Sequence, residues 1–223
     1  MEKYLNIMKS SPLFYGIGEK EIWDMLNCLS AVIRKFEKHE FIFREGDRIS
    51  DTGLMLSGSV HVIKEDFWGN RMILTQVRPG QLFGETYACL RTEPLEVSVE
   101  AAEDCRVLML DCGRILHMCT SACDFHSRLI QNLLWILAGK NMMLTRKMEH
   151  ISRRTTREKL LSYLSEQSKL QSSTDFCIPF NRQQLADYLA VDRSAMSSEL
   201  GKMKKEGLLD FYKNHFILRH SRE

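Results

Sequence analysis

The spacing of apolar residues changes three times along the chain. Within residues 11–33, Ile22, Trp23, Leu26 and Leu29 return at three- and four-residue spacing behind Gly18 and Glu19, which predicts a short amphipathic helix. From residue 41 to residue 110 the pattern shifts to short β-rich runs at 41–43, 52–56, 59–63, 72–77, 95–101 and 106–110. Turn formers punctuate them: Gly46-Asp47, Gly58, Gly69-Asn70, Pro79-Gly80 and Gly84. Strands this short with turns this regular predict a jelly roll or a related double-sheet barrel. After Asp124 the period is helical again, with Leu129, Leu133, Ile136, Met143 and Ile151 flanked by Ile130, Leu137, Leu144 and Met148. That gives roughly 27 residues of amphipathic helix, longer than a small domain needs. Its stripe is wide enough to face the β-roll on one side and a second copy of itself on the other, as a short coiled coil does. The alternative is a helix buried within one subunit.

The polar segment Ser152-Arg153-Arg154-Thr155-Thr156 suits a hinge and a helix cap. It sets the expected organisation: a β-roll over 1–124, a dimerisation helix and hinge over 125–152, and a helical domain over 153–223. The fold class is thus α+β. In the last part Asn181 and Gln184 have the spacing of a capping box, so a helix starts there, carries Leu185, Ala186 and Leu189, and stops near Ala190. Val191 fills the turn, Asp192 caps a second helix, and Gly207 closes it. With Met196 and Leu200 also pointing inward, this is the spacing of a helix-turn-helix. Its outer face presents Arg193, Ser194, Ser197 and Ser198, with Gly201 and Lys202 beyond. Arginine can give two parallel hydrogen bonds to a guanine, and serine can contact a base or a phosphate. Arg182 and Gln183 suit phosphate contact at the start of the first helix, and Lys202, Lys204 and Lys205 add nonspecific attraction. The competing reading is a helical pair used for protein contacts.

Charge agrees with a polyanion partner near the C-terminus. Residues 153–223 hold 13 Lys and Arg against 9 Asp and Glu, leaving 18 against 20 in the rest, although the whole chain is only +2. No apolar run approaches a membrane span, so no membrane partner and a cytoplasmic location are expected. The seven cysteines, Cys28, Cys89, Cys105, Cys112, Cys119, Cys123 and Cys177, contain no C-x-x-C pair and are odd in number, which points to reduced thiols. Cys112, Cys119 and Cys123 lie near His117 and His126, but their gaps of six and three residues fit no common zinc pattern. A cupin-like metal-dependent enzyme on the jelly roll needs two close histidines and an acid, and the strand run Val60-His61-Val62 supplies one. With no nucleophile elbow or phosphate loop either, no enzyme is expected.

Taken together, Gly46-Asp47, Gly84-Glu85, the long helix, and Asn181-Arg182-Gln183-Gln184-Leu185-Ala186 leading to Val191-Asp192-Arg193-Ser194 resemble the Crp/Fnr family of transcription regulators over nearly the whole chain. The resemblance implies a homodimer with a winged helix-turn-helix, double-stranded DNA carrying an inverted-repeat operator, RNA polymerase as a partner, and control by a small molecule or a redox signal. The rival without DNA binding is a pure sensor or interaction protein.

Departures from the family pattern narrow the signal. In members that bind a cyclic nucleotide, Gly-Glu opens a cassette closed about ten residues later by an Arg that neutralises the phosphate. Here Leu95 and Glu96 occupy the closing positions, and Arg91-Thr92 comes four residues early. Glu85 can then serve as a structural acid. Gapless counting sets Met142 and Met143 where cyclic-AMP receptors face the base, so Gly84, Glu85, Tyr87, Cys89, Leu95, Glu96, Met142 and Met143 outline an effector pocket that is either apolar and open to a small molecule or filled by its own side chains. Cyclic AMP is not expected. Nor is an iron–sulfur cluster, which in this family resembles an N-terminal cysteine cluster that Cys28 alone does not make, nor haem, for which no ligand stands out. The cofactor stays unidentified. In the recognition helix Ser194, Ser198 and Glu199 replace family residues, so only Arg193 keeps a strong base-reading group.

Overall fold

The computed structural model describes residues 2–69, 71–116 and 124–219. Asn70, His117, Cys119 and Cys123 lie outside them. The chain divides into two units, residues 1–138 and 139–223.

In the first unit, helices α1 (Leu5–Ser10) and α2 (Glu19–Cys28) precede strands β1 (Val32–Phe36), β2 (Phe41–Phe43), β3 (Asp51–Ser57), β4 (Val60–Glu65), β5 (Arg71–Val77) and β6 (Leu82–Phe83). Helix α3 (Glu85–Leu90), strands β7 (Ser98–Ala101) and β8 (Cys105–Asp111), helix α4 (Cys112–Leu116) and helix α5 (Asp124–Ile151) follow. The strands form two antiparallel sheets, ordered β1-β8-β3-β6 and β2-β7-β4-β5. Alternation along β8 explains why residues 107–110 are all apolar. Val107 and Met109 face the roll interior with Phe43, Met55 and Val99, while Leu108 and Leu110 face the helices with Met8, Ile22, Leu26, Leu129 and Leu133. Both faces of this strand are therefore core.

Three short elements escape the periodicity of the sequence. β1 was expected to belong partly to a helical stretch, and its exposed edge position leaves it without a clean apolar face. The two residues of β6 and the six of α3 are too few to display a period. Leu95 was expected in a strand but lies before β7, where its backbone exchanges bonds with the Gly46-Asp47 turn: Gly46 N donates to Leu95 O and Leu95 N to Asp47 O, both at 2.8 Å.

The second unit holds helices α6 (Thr156–Gln171), α7 (Arg182–Leu189) and α8 (Arg193–Lys205) with strands β9 (Asp175–Cys177), β10 (Leu209–Tyr212) and β11 (His215–Leu218). The strands form one antiparallel sheet, β10-β11-β9. Its core joins Leu160 and Tyr163 of α6 to Leu185 and Leu189 of α7, Met196, Leu200 and Met203 of α8, and Phe216 of β11. α5 runs on from the first unit into the second as one helix of 28 residues. Among the described residues no helix is long and apolar enough to cross a membrane.

Candidate DNA interface and effector pocket

The helix-turn-helix is built from local bonds. Asn181 Oδ1 accepts from the Gln184 N–H, and Gln184 Oε1 accepts from the Asn181 N–H, each at 2.9 Å. α7 stops where Ala190 turns to φ +51°. Lys159 of α6 then donates to the last carbonyls, Leu189 O at 3.2 Å and Ala190 O at 3.1 Å, so a cation closes the negative end of the helix. Asp192 Oδ1 accepts from the Ala195 N–H at 2.7 Å and starts α8. Buried Ala186 leaves room for the two helices to approach.

On the outer side of α8, Arg193, Ser194, Ser197, Ser198 and Lys202 are exposed. Ser197 donates its hydroxyl hydrogen to Arg193 O at 2.9 Å, which leaves its oxygen as an acceptor for a base amino group. Lys202 lies 3.6 Å from Glu199, a loose surface contact that still lets it reach a phosphate. Glu199 in turn faces Arg157 of α6 at 3.4 Å, and Arg157 also pairs with Glu206. That pair raises the Arg157 pKa and lowers that of Glu206, each through the hydrogen bond to the other. Two residues read as phosphate contacts have internal work. Gln183 donates to Asp187 Oδ1 at 2.8 Å. Arg182 is half-buried, its guanidinium 4.7 Å from the Phe211 ring centroid and 5.1 Å from that of Phe216, and burial lowers its pKa. It thereby fastens α7 to the β10–β11 hairpin.

The expected pocket residues separate into two groups. Gly84, Glu85, Tyr87, Cys89 and Leu95 lie in the first unit, whereas Met142 and Met143 are exposed on the part of α5 in the second. Gly84 takes φ +76°, a conformation that side chains rarely adopt, and a Cβ there would come within 3.0 Å of the Phe43 ring and 3.2 Å of Ile49. Glu85, buried at the first turn of α3, suits the positive end of that helix. Leu95 is 2% exposed and packs in the roll interior with Phe43, Met55 and Val99, while Glu96 points to solvent. Arg91 is held elsewhere, 3.0 Å from Asp111 at the end of β8. His126, considered above as a ligand, is buried and bonds the carbonyls of Arg114 and Ile115 at 3.0 Å, which secures α4 to α5.

Comparison with known proteins finds both halves of this architecture. The Cyclic nucleotide-binding domain matches residues 33–122, and the Crp-like helix-turn-helix domain matches residues 158–222. The chain belongs to the Crp/Fnr family. As a Crp/Fnr protein it is a DNA-binding transcription regulator with an effector-sensing domain. It is 23% identical to the Anaerobic regulatory protein of Bacillus subtilis over 98% of this chain and 92% of that one. It is 32% identical to the Cyclic AMP receptor protein of Thermus thermophilus, but over only 46% of each chain. Among solved structures, the Catabolite Activator Protein of Thermus thermophilus covers 94% of both chains at 23% identity with a TM-score of 0.51.

Some residues that shape or flank the helix-turn-helix of this Crp/Fnr regulator were invisible in its sequence. Lys159 and Arg157 act on the helix-turn-helix from α6, across a long sequence separation. Tyr212 and Lys213, exposed at the tip of the β10–β11 hairpin, were passed over because a four-residue strand pair carries little pattern. The signal available was the Lys213-Asn214 turn, whose Asn214 exchanges 2.9 Å bonds with Ile178.

Proposed function

We propose that this regulator works as a cytoplasmic homodimer that reads an inverted-repeat operator with α8, and that its signal is a small molecule or a redox change other than cyclic AMP or cyclic GMP. Its working parts are then the sensor over 1–124, the dimer helix and hinge over 125–152, and the DNA-binding domain over 153–223, with RNA polymerase as the partner at the promoter. Arg193, Ser194, Ser197 and Ser198 read bases, and Lys202 and the free part of Gln183 hold phosphates. The role of Arg182 is to brace the hairpin behind them.

One observation carries the choice of signal: the position that would neutralise a cyclic phosphate is a buried leucine, Leu95, built into the roll interior. A cyclic phosphate stays charged at any physiological pH, and sealing it from water without a cation carries a penalty of several kcal/mol. The nearest arginine in sequence, Arg91, is committed to Asp111. Titration calorimetry with cyclic AMP and cyclic GMP at millimolar concentration tests the reading. No binding heat is expected from either. Micromolar binding that Arg91→Ala removes would overturn it, by showing that the loop between Leu90 and Pro94 refolds around the ligand.

A further inference from the structure

The end of α3 is tied to the start of α4. Arg91, which caps α3, reaches Asp111 at 3.0 Å, and its guanidinium fills the space that a side chain on Gly113 would need. Asp111 also accepts from the Gly113 N–H at 2.7 Å. Cys89 stands two residues before Arg91 and Cys112 one residue after Asp111, so the same junction brings the two thiols together, and they are hydrogen-bonded to each other. Their exposures differ. Cys112 is fully buried, with its backbone N–H held by Ser50 O at 2.9 Å, whereas Cys89 is only partly covered.

We propose that Cys89 and Cys112 are a modification site that closes to a disulfide when a hydroperoxide reaches Cys89, and that closure changes the affinity of the regulator for its operator. The last clause rests on the function proposed above, whereas the chemistry does not. The hydrogen bond from Cys112 draws the Cys89 thiol below its ordinary pKa against the opposing effects of burial and of Glu85, and Arg91 adds to the lowering. The same bond together with burial pushes Cys112 up. Cys89, the more exposed and the more acidic of the two, is therefore the attacking sulfur and Cys112 the resolving thiol. Cys89 Sγ attacks the terminal peroxide oxygen, the O–O bond breaks, and the alkoxide leaves with a proton as an alcohol, giving a sulfenic acid. Cys112 Sγ then attacks that sulfur, the S–O bond breaks, and hydroxide leaves with the Cys112 proton as water. Two thiols have lost two electrons and two protons, and the peroxide has gained them.

The other described cysteines lack this arrangement. Cys105 is buried and pushed up to about 11, first by burial and then by neighbouring carboxylates. Closure would lock α3, which carries Glu85 and Tyr87, to the end of β8, so the segment bearing the expected pocket residues could no longer shift against the sheet.

The test uses the full chain, reduced and then treated with hydrogen peroxide in slight molar excess. Non-reducing tryptic mass spectrometry is expected to show peptides 72–91 and 107–114 joined, with two thiols lost and both restored by dithiothreitol. Cys89→Ser and, as a second route should that variant fold poorly, Cys112→Ala remove the link, and Cys28→Ser keeps it. Fluorescence anisotropy on a duplex selected in vitro with the reduced protein is expected to change by about fivefold or more in affinity on oxidation of the parent chain. Absence of the joined peptides, or a link from Cys112 to Cys119 or Cys123 instead, overturns the site. Joined peptides with unchanged affinity overturn the regulatory step. A reduced protein that selects no duplex overturns the operator reading, and joined peptides would then still stand as the modification.

Discussion

Ala190 holds the sharpest bend of the helix-turn-helix in a left-handed conformation that disfavours any residue with a Cβ by about 1–2 kcal/mol. Lys159 offsets part of that cost by bonding the two carbonyls the bend exposes. Two outcomes are expected in chemical denaturation of the full chain. Ala190→Gly should stabilise the DNA-binding unit by about 0.5–1 kcal/mol, since the relief of strain exceeds the added chain entropy. Lys159→Met should destabilise it by roughly 1 kcal/mol by uncapping α7. A destabilised Ala190→Gly protein would mean that the side chain, not the turn, matters there. Caps of this kind divide cleanly in how far they can be read ahead. Asn181 with Gln184, and Asp192 with Ala195, bond within three residues, so the sequence shows both members. The Lys159 and Arg182 partners come from other elements, and nothing near either residue announces them.

At the scale of the element, the proposed readout gives α8 one strong base reader and several weak ones. Arg193 stands exposed in the first turn, where a recognition helix meets base edges, while Lys202 lies farther along and already shares Glu199. Arg193→Ala should cost roughly 1–3 kcal/mol on the selected operator and relax preference at one base position. Lys202→Ala should weaken all sequences alike and flatten the salt dependence. Anisotropy titrations against single-base operator variants at several salt concentrations separate the two, and equal, sequence-independent losses would reject the assignment. Element type was readable where a period had room to repeat, as in α5, α8 and the four longest strands. It was unreadable in β6 and α3. The pocket suffered most, because α3 carries Glu85, Tyr87 and Cys89, and a reading that saw only a turn at Gly84 placed those side chains by analogy alone.

For the molecule as a whole, the proposed dimer requires one face of α5 to meet a second copy. Apolar spacing alone suggested Ile136 and Met143 as contact positions, but helical geometry separates the stripes. Leu129 and Ile136 follow one another at a seven-residue step on the side that packs inward, Leu129 buried and Ile136 half-buried against the core of the first unit, whereas Met143, one step farther on, is 68% exposed. Leu134, Asn141 and Met148 form another line of sevens, with Ala138 and Thr145 between them, and Leu134 and Met148 are 57% and 65% exposed. A heptad line of this length, uncovered within its own chain, is what a two-helix interface uses. Leu134→Glu combined with Met148→Glu should therefore yield a folded monomer by sedimentation at micromolar concentration, with the thermal transition retained. Ile136→Glu should lower the melting temperature of the sensor unit instead, because it buries a charge in that unit's own core. The monomer should also lose operator binding at physiological salt. A single copy keeps only one recognition helix, and the released counterions that favour binding are roughly halved along with the phosphate contacts. If the double variant sediments as a dimer, the interface lies on another surface, and the stripe along Leu134 and Met148 has a different occupant.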